Sequence, residues 1–325
     1  MSESMMDRLH PDLVGPIKFM QSQPDGGLNL DDIPAARVAS AEMMEAMTGQ
    51  MPVVEGVDSE DRMVPGPLDA PEVGIRIYRP ANQSGILPAF LWIHGGGYIL
   101  GDIEMNDVIC KYTTLAGECV TVSVDYRLAP ENPFPAAIED CYAALKWLAS
   151  HAGELDVDVN RIAIGGGSAG GGLAAGLALL ARDRGEIEVI AQFLIYPMID
   201  DRNTEPPSDT LPDTLMWTRK NNLIGWSAYL GCEPGGDNIS CYAAAARAED
   251  LSGLPPAYIA VGDLDLFAEE DVEYARRLIN AGVPTELHVY PGGCHAFDGL
   301  APEADISRQA TEAFYQALKR ALHGY

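Results

Sequence analysis

The chain is short of positive charge. Against 48 aspartates and glutamates it sets only 21 lysines and arginines, a net charge of −27 over 325 residues. A field of that sign repels nucleic acid and anionic membrane surfaces, which argues against both as partners and leaves neutral or cationic ligands unopposed. It has no apolar run long enough to span a bilayer. Its start, Met1-Ser2-Glu3-Ser4-Met5-Met6-Asp7, lacks the basic and apolar regions of a signal peptide, so a cytoplasmic protein without stable membrane association is expected. The six cysteines (Cys110, Cys119, Cys141, Cys232, Cys241 and Cys294) include no Cys-x-x-Cys pair. Buried free thiols are therefore expected rather than zinc or a disulfide framework. Internal repeats and low-complexity tracts are also missing.

What the chain does have is apolar content, 47%, and the length to bury a large core. Asp31-Asp32 and Pro34 mark a helix start, after a turn at Pro24-Asp25-Gly26-Gly27. Ala35, Val38, Ala39, Met43 and Met47 then recur at helical spacing, as core packing or as the lining of a mobile cap. From Val73 onward strands and helices alternate. Strands are expected at 73–79, 89–94, 120–124, 162–164, 189–196, 257–261 and 286–290. Helices are expected at 104–115, 136–150, 172–182, 268–281 and 303–322. Strands separated by helices of this length imply a mostly parallel sheet covered on both faces, which binds ligands beyond the carboxyl ends of its strands. The alternation breaks at Pro197–Tyr229, an excursion bearing Pro206, Pro207, Pro212, Trp217 and Trp226 that reads as a lid or site wall.

One stretch concentrates the chemistry. Between the run Ile162-Ala163-Ile164 and the Ala/Leu-rich segment from Leu173 lies Gly166-Gly167-Ser168-Ala169-Gly170. A Gly-x-Ser-x-Gly turn from strand to helix is sharp enough to demand glycine two residues either side of the serine. In return it stands the serine hydroxyl at the head of a helix, exposed for attack on a carbonyl. The same letters also fit the dinucleotide fingerprint at Gly165, Gly167 and Gly170, with Glu186 or Glu188 as the ribose acid. That reading leaves two other loops unexplained. His94-Gly95-Gly96-Gly97 follows a strand and offers unobstructed backbone amides to a developing oxyanion, with the Ala169 N–H as a further donor. His295 follows another strand through Pro291-Gly292-Gly293-Cys294 and comes last in the order serine, acid, histidine. It is preferred as the base over His10, His94, His151, His288 and His323. For the acid, Asp263 and Asp265 both follow the strand at 257–261, and strand geometry does not choose between them.

Five motifs now resemble a known family, the bacterial hormone-sensitive-lipase-like carboxylesterases (family IV). They are His94-Gly-Gly-Gly-Tyr98, Asp125-Tyr126-Arg127-Leu128-Ala129-Pro130-Glu131-Asn132-Pro133-Phe134-Pro135-Ala136-Ala137, Gly166-Gly-Ser-Ala-Gly170, Gly262-Asp-Leu-Asp-Leu-Phe267 and Tyr290-Pro-Gly-Gly-Cys-His295-Ala-Phe297. They stand in the family's order and span nearly the whole chain. The resemblance implies the α/β-hydrolase fold, a single domain over 1–325, with a helical cap from about 1–50 plus an insertion at about 200–229. It implies a triad of Ser168, Asp265 and His295, with Gly96, Gly97 and Ala169 as oxyanion hole and His94, Tyr126 and Arg127 as supports. The family's register favours Asp265 over Asp263. The implied activity is hydrolysis of short- to medium-chain esters of small neutral molecules through an acyl-enzyme, with no metal or organic cofactor, and a homodimer is left open. An amidase, deacetylase or lactonase would use the same atoms. A receptor of the same fold, like those for gibberellin in plants, lacks the histidine that is retained here. One departure stands out: Gly167 occupies a position where the family has Asp or Thr, and the remaining motifs look more like the threonine branch.

Overall fold

The computed structural model describes residues 5–22, 28–48, 53–204 and 215–324. Its frame is an eight-stranded sheet in the order β1-β2-β4-β3-β5-β6-β7-β8. The strands are β1 (Val57–Val64), β2 (Val73–Pro80), β3 (Leu87–Ile93), β4 (Val120–Asp125), β5 (Val157–Gly167), β6 (Gln192–Ile195), β7 (Ala257–Gly262) and β8 (Thr285–Tyr290). β1 with β2 and β2 with β4 run antiparallel, and from β4 to β8 every pairing is parallel. Strands buried on both faces need continuous apolar sequence, and Leu87-Pro-Ala-Phe-Leu-Trp-Ile supplies it, buried from Pro88 onward. β1 is the opposite case. Its Asp58, Glu60, Asp61 and Arg62 leave no apolar alternation to read, because it is an edge strand whose residues 58–61 face water.

Helices cover both faces: α4 (Asp107–Gly117), α5 (Ala136–Ser150), α6 (Ala169–Arg184), α8 (Ala268–Asn280) and α10 (Asp305–His323), with the short α9 (Phe297–Leu300) ahead of the last. α6 is buried from Ala169 to Ala181, and its composition of Gly, Ala and Leu follows from how closely it is approached. A Cβ on Gly172 would lie 2.1 Å from the Met198 carbonyl oxygen, and one on Gly176 would lie 2.4 Å from that of Tyr242. The helix begins immediately after Ser168, three residues earlier than the composition suggests. The glycines at 170–172 are helical because packing overrides their poor propensity.

Three helices precede the sheet: α1 (Met5–Arg8), α2 (Pro11–Gln21) and α3 (Ile33–Thr48). α2 buries Leu13 and Ile17 in a cluster with Leu264, Cys294 and Phe297, behind the loops that follow β7 and β8. A backbone bond from His10 N–H to the Gly292 carbonyl, 3.0 Å, ties it there. In α3 the stripe at Ala35, Val38, Ala39 and Met43 faces solvent, and the inward position is Ala36. The helix is held instead by Arg37, whose guanidinium donates to the carbonyls of Ile99 (2.7 Å) and Ala129 (2.7 Å) and to Glu131. The turn at 24–27 and Pro206, Pro207 and Pro212 lie outside the described residues, as does the side chain of Met47. A further helix, α7 (Arg219–Leu230), follows the excursion and buries Trp226 and Tyr229. Just past the glycine loop, Tyr98 meets Trp226 at a tilt, ring centroids 5.2 Å apart, and stacks on Tyr229 at 4.0 Å. No described helix is long and apolar enough to cross a membrane.

Candidate active site

β5 delivers Ser168 at the carboxyl edge of the sheet. The residue sits at φ 56°, ψ −122°, a conformation that costs a side-chain-bearing residue on the order of 1–3 kcal/mol. The turn closes through bonds from Ser168 N–H to the Ile195 carbonyl (2.9 Å) and from the Met198 and Gly172 N–H groups to the Ser168 carbonyl (3.0 Å each). Its glycines are required by contact. A Cβ on Gly166 would stand 2.4 Å from the Gly170 carbonyl oxygen, and one on Gly170 only 2.1 Å from that of Ile93. Gly167 is different. The nearest atom to a Cβ there is Tyr196 Cε2 at 3.6 Å, ordinary contact, so a Cβ fits without displacing a neighbour.

The loops after β7 and β8 converge on this serine. His295 Nε2 is 2.9 Å from Ser168 Oγ, and His295 Nδ1 is 2.8 Å from Asp265 Oδ2. Asp265 Oδ1 accepts the Phe267 N–H at 3.0 Å, which holds the carboxylate in the plane it needs. All three residues are buried, Ser168 at 8%, His295 at 6% and Asp265 at 1% exposure. Asp263 points elsewhere: its Oδ1 accepts the Gly292 N–H at 2.6 Å, and Arg8 lies 3.8 Å from Oδ2. It thereby staples the β7 loop to the β8 loop that carries His295. Around the imidazole stand Tyr196, Phe267 and Trp217, ring centroids 4.9, 5.2 and 6.4 Å away.

The glycine loop after β3 closes the other side. Gly96 and Gly97 take φ of 112° and 60°, conformations that favour glycine, and so turn the backbone past the serine. A Cβ on Gly95 would sit 3.3 Å from that of Ser168. Ala169 is the first residue of α6, so its N–H has no intrahelical acceptor. His94 is buried beneath the loop, stacked at 4.2 Å on Tyr126, and burial pushes its imidazole down to about 4. The ring is therefore uncharged near neutral pH. The Tyr126 hydroxyl donates to the His94 carbonyl at 3.0 Å. Arg127 clamps buried Asp140 through Nε (2.8 Å) and Nη2 (2.7 Å), the pairing that raises the guanidinium above its ordinary value.

Sequence reasoning missed several parts of this surround. Glu270, buried in α8, accepts the N–H groups of Ile199 (2.9 Å) and Asp200 (3.1 Å), pinning the chain that leaves β6. Burial nonetheless raises its carboxyl well above the usual range. Its neighbour Asp271 is raised likewise by burial, with Glu270 and Asp265 nearby, and neither of its oxygens has a hydrogen-bond partner. Tyr196 donates to Asp298 Oδ1 at 3.0 Å beside the imidazole. The only sequence signal for Glu270 was its closeness to Asp265, and for Tyr196 and Asp298 their places just after β6 and after His295. Of the described His, Cys, Asp and Glu side chains, no three are grouped as a metal would need.

A sequence model described as the alpha/beta hydrolase fold matches residues 90–299. Esterase LipI of Mycobacterium tuberculosis is 36% identical over 273 residues, 82% of this chain and 85% of that protein. Carboxylesterase NlhH of the same species is 37% identical over 257 residues, 78% of this chain and 79% of its own. Among solved structures, one titled bacterial heroin esterase superposes with a TM-score of 0.93 at 39% identity, covering 99% of this chain and 100% of that one.

Proposed function

The chain belongs to the hormone-sensitive-lipase-like carboxylesterases of the α/β-hydrolase fold and is a carboxylic ester hydrolase, and from that premise we propose that it works through an acyl-enzyme on Ser168. The observation that carries this reading is the relay of two hydrogen bonds, Ser168 Oγ to His295 Nε2 at 2.9 Å and His295 Nδ1 to Asp265 at 2.8 Å. With the Nδ1 proton held by Asp265, Nε2 is left with its lone pair towards the hydroxyl. Oγ attacks the ester carbon while Nε2 takes its proton. The carbonyl oxygen becomes an oxyanion received by the N–H groups of Gly96, Gly97 and Ala169, each donor of this kind being worth about 3 kcal/mol of barrier. Collapse expels the alcohol, which takes the proton back from His295. Water, deprotonated by the same nitrogen, then releases the acid and restores the serine.

The substrates in this proposal are small neutral esters with short to medium acyl chains, met in the cytoplasm. The net charge of −27 supports that reading, since it opposes anionic lipid surfaces. In the same proposal α3 and the segment leading into α7 act as the cap over the site, on the support of Arg37 against the Ile99 and Ala129 carbonyls and of the Lys220–Asp31 pair at 2.6 Å.

The test is labelling with a fluorophosphonate, read by mass spectrometry, alongside hydrolysis of nitrophenyl esters and matching anilides. Modification of Ser168 with loss of ester turnover, and no turnover by Ser168→Ala, is the expected result. A label on another serine, or full activity in Ser168→Ala, overturns the mechanism. Anilide turnover outrunning ester turnover would reassign the bond cleaved.

A further inference from the structure

We propose that Trp217 is the wall that limits acyl length, favouring the short end of the range, such as acetyl and propionyl, over medium chains; this deepens, and rests on, the acyl-enzyme reading of Ser168. Trp217 lies just ahead of α7 and is 5% exposed. The benzo edge of its indole lies directly on the oxyanion loop. A Cβ on Gly97 would come within 2.2 Å of Trp217 Cη2 and 2.7 Å of Cζ2. Gly225 of α7 backs the same ring: its own Cβ would sit 2.9 Å from the Gly97 carbonyl oxygen, 3.4 Å from Trp217 Cζ2 and 3.6 Å from Met198 Cε. The benzo edge thus packs where the glycine loop and α7 meet, against Gly97 of one and Gly225 of the other.

It is also held in place. Trp217 Nε1 donates to Asn222 Oδ1 at 3.2 Å, and Asn222 Nδ2 donates to the Asn203 carbonyl at 3.2 Å. Asn203 Nδ2 in turn donates to the Leu266 carbonyl (3.1 Å) and to Glu270 (2.8 Å), beside Asp265. Swinging the ring aside breaks a hydrogen bond between two buried groups, so the wall belongs to the resting site rather than being a loose flap.

The geometry of the tetrahedral intermediate assigns this wall to the acyl side. Its oxyanion points to the glycine-loop amides, and its leaving oxygen must lie within hydrogen-bond reach of His295 Nε2. The acyl carbon chain takes the remaining direction. A residue limiting the alcohol would press on the imidazole. Of the three rings around the imidazole Trp217 is the farthest, its centroid 6.4 Å from that of His295 against 4.9 Å for Tyr196 and 5.2 Å for Phe267, and its benzo edge rests on Gly97. A chain extending from the carbonyl carbon alongside the oxyanion loop meets the indole within a few methylenes.

The experiment measures kcat/KM of the intact protein, Trp217→Phe and Trp217→Ala on two ester series. One is nitrophenyl esters from acetate to octanoate; the other is acetates of alcohols from ethanol to octanol. Trp217→Ala should raise the octanoate-to-acetate ratio by about 10- to 200-fold, the range that methylene-sized changes in an apolar pocket command. Trp217→Phe should fall between, and the alcohol series should keep its order. An unchanged acyl ratio in folded Trp217→Ala overturns the proposal, as does a change confined to the alcohol series. Should Trp217→Ala not fold, Trp217→Phe and Trp217→Leu carry the same readout. Activity surviving in Ser168→Ala would instead defeat the underlying mechanism, so the two failures are distinguishable.

Discussion

The serine turn and the segment that covers it are held by different physics. Around Ser168 the constraint is backbone against backbone: the Gly166 and Gly170 positions have carbonyl oxygens within 2.4 Å and 2.1 Å of where a Cβ would stand. Over the site the constraint is side chain against backbone or side chain. Arg37 reaches two carbonyls, Lys220 reaches Asp31, and Trp217 packs on Gly97 and donates to Asn222. Close-packed backbone tolerates almost no substitution, whereas side-chain contacts can be exchanged at a cost of a few kcal/mol. On the proposed mechanism, reaction chemistry belongs to the rigid half and selectivity to the half that can vary.

The largest effect expected within the rigid half separates its two acids. Asp265→Asn should lower kcat by on the order of 10⁴, because the amide favours the wrong histidine tautomer, as in serine proteases. Asp263→Asn, which alters the staple to Gly292 and the pairing with Arg8, should cost far less. Steady-state kinetics with folding checked by circular dichroism decides it, and near-normal kcat in folded Asp265→Asn would transfer the role.

Next comes a contrast inside the turn itself. Gly170→Ala drives a methyl into the Ile93 carbonyl and should cost about 3 kcal/mol or more, or prevent folding. Gly167→Ala meets nothing closer than 3.6 Å and should stay within about 1 kcal/mol of the parent, on the stabilising side through lost unfolded-state entropy. Thermal unfolding of both measures the difference. Equal losses would mean that the turn is constrained by something other than contact.

A subtler effect is one of slope rather than height. Asp271 is buried without hydrogen-bond partners, and its carboxyl is raised well above 3.8. As pH climbs past about 4, the unfolded chain releases this proton while the folded one retains it, so the group's contribution to stability falls with rising pH. Asp271→Asn lacks that slope. Its melting temperature should match the parent's near pH 4 and exceed it by a margin that grows as the pH rises from there. A constant gap would show that Asp271 does not hold a proton in the fold.

Much of this was legible in the chain because it is local. Elbow glycines, the glycine run after β3 and the strand–helix alternation are set by sterics and periodicity over a few residues, which composition reveals directly. β1 was invisible because an edge strand facing water needs no apolar alternation. The outward face of α3 was misjudged because neighbouring apolar residues do not say which side a partner occupies; one arginine capping two distant carbonyls does.

The sequence by itself thus determined the order in which the residues proposed as nucleophile, acid and base follow one another, and the turn positions that demand a very small residue. It could not choose between Asp263 and Asp265 from strand geometry, since side chains two apart leave a strand in the same direction and the loop alone aims them. Tertiary structure separates the two: Asp265 lies 2.8 Å from His295, and Asp263 accepts the Gly292 amide at 2.6 Å. It likewise decided what covers the site, bringing Trp217 onto Gly97 across 120 positions of chain. Contacts between distant segments follow from how the whole core packs, and no local pattern encodes them.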